Sequence, residues 1–157
     1  MRVVYQMSSG SQPDRDEVDP MSALSSDFSS IGSTHADTSG IGSLGQLKQE
    51  LIKDYNEVNH RIFGIGVVRQ KVDIAGDRIL VIALHKRVPA LGYLNVLNSN
   101  VSELADHYLI KGFKHEFKQL LVAKYGFEVL SIFKDYDAEA ELSATVVVLK
   151  KDVRDYL

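Results

Sequence analysis

Arg78-Ile79-Leu80-Val81-Ile82-Ala83-Leu84 is a seven-residue run in which every residue after the arginine is apolar. A strand without polar alternation is buried on both faces and lies inside a sheet, not at its edge. Just before it, Gly76-Asp77 supplies turn chemistry. Before that turn, Val68, Val72 and Ile74 alternate with Arg69, Lys71 and Asp73, the pattern of a strand with one wet face. The runs Gly64–Ile74 and Arg78–Val88 therefore predict a hairpin. Farther upstream, Leu44, Leu47, Leu51, Tyr55 and Val58 recur at three- and four-residue steps along one helical face. Ser43 with Gln46 three residues on has the spacing of a capping box.

The same order then repeats. Val101, Leu104, Ala105, Tyr108, Leu109, Phe113, Phe117, Leu120 and Leu121 form a second helical stripe, with Asn100 as the expected cap and Gly126 as the expected left-handed terminator. Phe127–Tyr136 and Leu142–Lys150 follow as a second pair of strands. An αββαββ order predicts an α+β fold, an antiparallel four-stranded sheet with helices packed on one face. The central run then needs cover on its other side, and a homodimer through the central strands or through residues 89–98 would provide it. Pro89 to Asn98 reads as a loop, too apolar to float in water: Leu91, Tyr93, Leu94, Val96 and Leu97 must pack on the core or form a contact surface.

At 157 residues, 45% hydrophobic and 25% charged, the chain has material for one core. Cysteine is absent, which removes disulfides, thiolate nucleophiles and cysteine metal sites and fits a reducing compartment. The start, Met1-Arg2-Val3-Val4-Tyr5-Gln6, lacks the apolar core of a signal peptide, and no run is long enough to span a membrane. A soluble, cytoplasmic protein is expected. Residues 1–43 form an acidic Ser/Gly-rich tail with two arginines against six acids, so a net −4 sits there and +1 on the remainder. Its scattered apolar residues, Phe28 and Ile31 among them, are too few to offset an ordering cost of about 1–2 kcal/mol per residue, which predicts disorder in isolation. A body so nearly neutral lacks the strong positive field of a dedicated nucleic-acid binder.

Candidate chemistry is sparse. Asp135, Asp137, Glu139 and Glu141 alternate near a hairpin connection and could gather around a hard cation. Ala140, however, stands where a calcium loop needs glycine. His107 and His115 are eight residues apart on the second helix, about 12 Å along its axis and too far for one ion. His115-Glu116 begins like a zinc-protease helix, but Gln119 occupies the second histidine's place. Gly64-Ile65-Gly66 opens like a phosphate loop but leads into a strand, so no helix N-terminus would face a phosphate. Lys111, Lys114 and Lys118 form a basic helical face that could meet an anionic partner or, without stacking aromatics, remain solvated. Neither a metal nor a cofactor is expected.

From Gly126-Phe127-Glu128-Val129-Leu130-Ser131-Ile132-Phe133-Lys134-Asp135 to Val146-Val147-Val148-Leu149 the sequence resembles the C-terminal hairpin of the MpsC-like family. That family has a glycine before a V-x-S-hydrophobic strand, an aspartate in a D-I-S-type turn, and a valine-rich closing strand. Ser131 and Asp135 fall on its serine and aspartate, Gly64 and Gly66 on the glycines of its G-R-G-P element, and Asp77 on an aspartate before the central strand. Ile65 and Val67 replace that element's Arg and Pro, and its T-P-A-E element is reduced to Pro89-Ala90. The resemblance covers residues 44–150. It implies a small protein without established catalysis, an accessory to membrane subunits of sodium-coupled membrane-potential or inorganic-carbon uptake systems.

Together these readings lead to a non-enzymatic accessory or regulatory protein whose partner is another protein, such as a membrane transport subunit. The expected contact surface is Leu91, Tyr93 and Leu94, with Gly64, Gly66 and Asp135 shaping the nearby edge. The alternatives are a small-ligand or anion-sensing module and a nucleic-acid module using Lys111, Lys114 and Lys118.

Overall fold

The computed structural model describes residues 43–157. Apart from Ser43, the expected tail with Phe28 and Ile31 lies outside them. Helix α1 spans Leu44–Phe63 and starts as its sequence requires, with Ser43 Oγ accepting from the Gln46 N–H at 3.3 Å. The reciprocal half of the capping box is absent, because the Gln46 side chain donates to Glu50 Oε1 instead. Leu47, Leu51, Tyr55 and Val58 are buried along one face, each contributing about 1.5–3 kcal/mol of burial. Gly64 ends the helix in the left-handed region at φ 71°, where a side chain would be strained.

Strands β1 (Arg69–Ala75) and β2 (Arg78–Leu84) pair antiparallel across the two-residue turn Gly76-Asp77, with Gly76 at φ 59°. Strands β3 (Val129–Asp137) and β4 (Leu142–Leu149) form the second hairpin, and the sheet order is β1-β2-β4-β3. The expected α+β sheet is thus present, with β2 central. Because β4 lies antiparallel between them, β2 and β3 run parallel and need a crossover connection. That crossover is carried by two helices.

Here the structure corrects the expected loop. Pro89–Leu97 is a helix, α2, opened by proline in its first turn and closed where the Asn98 N–H donates to the Leu94 carbonyl. Proline at the start of a helix has no N–H to lose, and its fixed φ suits that position. Helix α3 follows at once, Ser99–Tyr125, capped by Asn98 and not by Asn100; the Asn98 side chain accepts from the Val101 N–H. Gly126 closes it at φ 67°, as its position predicts. Only the later part of the α3 stripe is covered. Phe113, Phe117 and Leu121 are fully buried, while Val101, Leu104 and Tyr108 are exposed.

The core lies between α1, α3 and one face of the sheet, with Ile79, Val81, Ala83, Ile132, Val147 and Leu149 contributed by the strands. A 3-10 turn, Val153–Tyr156, seals one end by donating the Val153 N–H to the Gly76 carbonyl and stacking Tyr156 edge-on to Phe127. The other face of the sheet carries Leu80, Ile82 and Leu84 on β2 with Leu142, Ala144, Val146 and Val148 on β4, none of them fully buried. Register sets its rows: Asp73, Leu80, Val146 and Phe133 lie in one line across the strands, and Lys71, Ile82, Ala144 and Asp135 in the next. Phe133 is 62% exposed there.

Candidate functional site

On the helix-facing side, β3 and β4 place polar residues where apolar ones are usual. Lys134 follows Ile132 at a two-residue step and so points into the core. It is 9% exposed. Its Nζ donates to Tyr55 Oη at 2.6 Å and lies 5.0 Å from the Tyr55 ring centre and 4.5 Å from that of Phe113. Tyr55 Oη is also 3.0 Å from Thr145 Oγ1 and 3.4 Å from Ser143 Oγ, both on β4 and both buried. One phenol therefore ties α1, β3 and β4 together. Buried hydroxyls and a buried ammonium are tolerated because each finds a partner.

Beside this hub lies His85, which continues the inward set Ile79, Val81, Ala83 one step past β2. It is buried, stacked on Tyr136 at 4.6 Å and tilted against Phe63. Neither ring nitrogen has a hydrogen-bond partner. Burial, reinforced by the Lys134 charge, holds its pKa down at about 4, so the ring is neutral at pH 7. Arg87 closes the outer side. Its Nη2 donates to Asp106 Oδ2 and to Ser102 Oγ, and Ser102 Oγ donates to the Leu91 carbonyl, which fastens α2 to α3. Burial pushes the Asp106 carboxyl above its ordinary value, against the opposing pull of Arg87. The Tyr136 phenol is pushed up to about 12, first by burial and then by the Glu141 charge. Phe63, His85, Arg87, Val88, Leu91, Asp106, Ile110, Lys134 and Tyr136 enclose a cavity of about 10 Å³, space for about one water-sized guest.

The residues expected to form a partner surface do not sit together. Leu91 is buried, on the side of α2 that lines the cavity of the polar cluster, and Leu94 is half-buried. Tyr93 is 69% exposed. Gly64 is the α1 terminator. Gly66 is a close approach, where a Cβ would meet Asn56 Oδ1 at 3.2 Å; that same oxygen accepts from the Val67 N–H. Asp135 lies within β3, not in a turn, and next to inward-pointing Lys134 it faces the outer side of the sheet. The turn is built instead by Asp137, whose carboxylate accepts from the Glu139 and Ala140 N–H groups.

Of the basic face, Lys111 and Lys118 are exposed. Lys114 shares an open groove of about 420 Å³ with Phe133, Lys134, Asp135, Ala144 and Val146. His107 and His115 are exposed. Among the described residues no group of three or more His, Cys, Asp or Glu is placed to hold a metal ion, and none of their helices is long and apolar enough to cross a membrane. Lys124, beyond the basic stripe, pairs with buried Asp54 at 2.8 Å and so has a structural partner.

Sequence reasoning missed His85, Arg87, Asp106, Lys134 and Tyr136. Lys134 and His85 were visible in principle: Lys134 occupies an inward step of β3, and His85 the next inward step after Ile79, Val81 and Ala83, just past the end of β2. Arg87 and Asp106 had no such signal, since their meeting depends on α2 being a helix. Comparison with known proteins returns no match: no protein-family model, no curated protein and no solved structure matches this chain.

Proposed function

We propose that this is a non-enzymatic accessory or regulatory protein that works by contact with other proteins. The observation that carries the reading is the surface of α2 and the first turns of α3. Tyr93, Val96, Leu97, Val101, Leu104 and Tyr108 all stand exposed there on two consecutive helices, Val96 at 83%. Aromatic and aliphatic anchors held on rigid helices are the material of binding hot spots. The partner is a protein with a complementary apolar surface, and the resemblance to the MpsC-like family makes it a membrane transport subunit met from the cytoplasm. The test is co-purification of the full chain from its native cells against a Tyr93→Ala, Leu97→Ala double variant of unchanged melting temperature. The reading expects one stoichiometric partner to be lost from the variant; retention of every partner would contradict it.

The outer sheet face supports a homodimer. A two-fold axis parallel to the strands lays β1 of one copy over β3 of the other, because the sheet order places them at opposite edges. Row by row, Lys71 then faces the second copy's Asp135, and Arg69 its Asp137, at either side of the apolar strip on β2 and β4. Four strands about 4.8 Å apart and seven residues long at about 3.3 Å each make a face of roughly 19 by 23 Å. Two copies would bury on the order of 1,000 Å², the lower end for a specific interface.

A further inference from the structure

Strand β3 is an edge of the sheet, and register shows which of its backbone groups are open. The Leu149 N–H donates to the Asp77 carbonyl and the His85 N–H to the Glu141 carbonyl, so the odd-numbered residues of β4 bond to β2. Its even-numbered residues therefore bond to β3, where their register partners are Ser131, Phe133, Asp135 and Asp137. The N–H and C=O groups of Ile132, Lys134 and Tyr136 are left pointing away from β4. Asp135 Oδ1 meets the Tyr136 N–H at 2.9 Å. Among the described residues no strand meets Ile132 and Lys134 on that side. The open groove of about 420 Å³ follows this edge, with Lys114 of α3 on one side and Phe133, Asp135, Ala144 and Val146 of the outer face on the other. Lys111 and Lys118, one turn before and after Lys114, share its helix face, and among the described residues none of the three lysines is in an ion pair.

We propose that β3 takes up an extended acidic peptide of a partner protein as a further strand of the sheet. The open backbone groups of Ile132 and Lys134 supply the main-chain pairing on which strand addition rests. Alternation supplies the specificity, because successive side chains of the added strand face opposite sides of the sheet. On the α3 side they meet the lysine row, which selects carboxylates. On the outer side they prolong the row of Leu80, Val146 and Phe133, which selects apolar residues. The partner segment therefore alternates acidic and apolar residues. A second copy of β3 suits this edge poorly, since a two-fold pairing of edges sets the two lysine rows against each other. The pairing is short, because Asp135 closes the edge at Tyr136, so affinity leans on the lysines and falls with salt. This surface is separate from the exposed corner of α2 and α3, and either contact can fail without the other.

The test titrates the full chain into a fluorescein-labelled peptide alternating glutamate and valine, read by anisotropy at low salt. Two control peptides accompany it, one with every backbone nitrogen methylated and one with lysine in place of glutamate. Saturable binding of one glutamate–valine peptide per chain is expected, with neither control binding. Amide exchange followed by NMR should slow at Ile132 and Lys134 when the peptide is added, a readout that needs no variant. Lys114→Glu combined with Lys118→Glu, at an unchanged melting temperature, should weaken binding roughly tenfold. Failure of the glutamate–valine peptide to bind, equal binding of the methylated peptide, or an affinity untouched by the charge reversals would overturn the proposal. So would protection of Ile132 and Lys134 that grows with chain concentration in the absence of peptide, because a second copy would then hold the edge.

Discussion

The two faces of the sheet are built against expectation in opposite senses. The inner face, pressed under α1 and α3, holds Lys134, Ser143 and Thr145 among its apolar residues. The outer face, which no helix among the described residues covers, holds Leu80, Ile82, Val146, Val148 and Phe133. On β4 the polar residues Ser143 and Thr145 point in beside Val147 and Leu149, while Leu142, Ala144, Val146 and Val148 point out. Sheets with one solvated face usually alternate the other way. The inner polar set is held by Tyr55, which supplies hydrogen bonds inside the core. Among the described residues the outer apolar set has no such internal answer, and it fits cover by a second copy.

Two phenylalanines test the contrast most sharply. Phe113 is fully buried on α3 against Tyr55, Phe117 and the Lys134 ammonium, whereas Phe133 stands exposed on the outer face. Phe113→Ala should cost about 4 kcal/mol in urea unfolding at any protein concentration. Phe133→Ala should leave the isolated chain's stability within about 0.5 kcal/mol and lower stability only where the wild type is dimeric. Equal losses for both would erase the distinction between the faces.

Removing one oxygen probes the inner face alone. Tyr55→Phe keeps the ring under Lys134 but strips the acceptor from its Nζ and a partner from Thr145. A loss of about 2 kcal/mol is expected, the cost of leaving buried polar groups unsatisfied. A neutral result would mean that water already serves these groups.

Acid should loosen the same face. His85 titrates near 4 in the fold against an ordinary 6.5, so the unfolded chain takes up the proton first and stability falls as pH drops from 6.5 towards 4, flattening below. The loss is at most about 2 kcal/mol once solvent screening is allowed for. His85→Phe, which preserves the stack on Tyr136, should remove this component from the pH–stability curve.

Much of the architecture was legible because it is written in periodicity. The stripe of α1, the two hairpins and the apolar run of β2 follow from residue spacing, and Ser43, Gly76 and Gly126 mark their boundaries through local chemistry. Residues 89–98 were not legible: a short segment with Gly92 and an apolar residue at nearly every step shows neither helical nor strand period, and its helicity comes from packing on α3. The partner surface shifted accordingly, since helix formation turns Leu91 inward and leaves Tyr93, Val96 and Leu97 outside. The internal cluster escaped for a different reason. Its members come from the segment between β2 and α2, from α3 and from β3, and only the tertiary fold brings them to one cavity.

The most direct measurement is the solution mass of the full chain by light scattering, beside that of Val146→Lys, which plants a charge in the apolar strip opposite Leu80 and Phe133. The account predicts a dimer, twice the 17.5 kDa chain mass, for the wild type and a folded monomer for the variant. A monomeric wild type at high protein concentration, or a dimer untouched by the lysine, would contradict it.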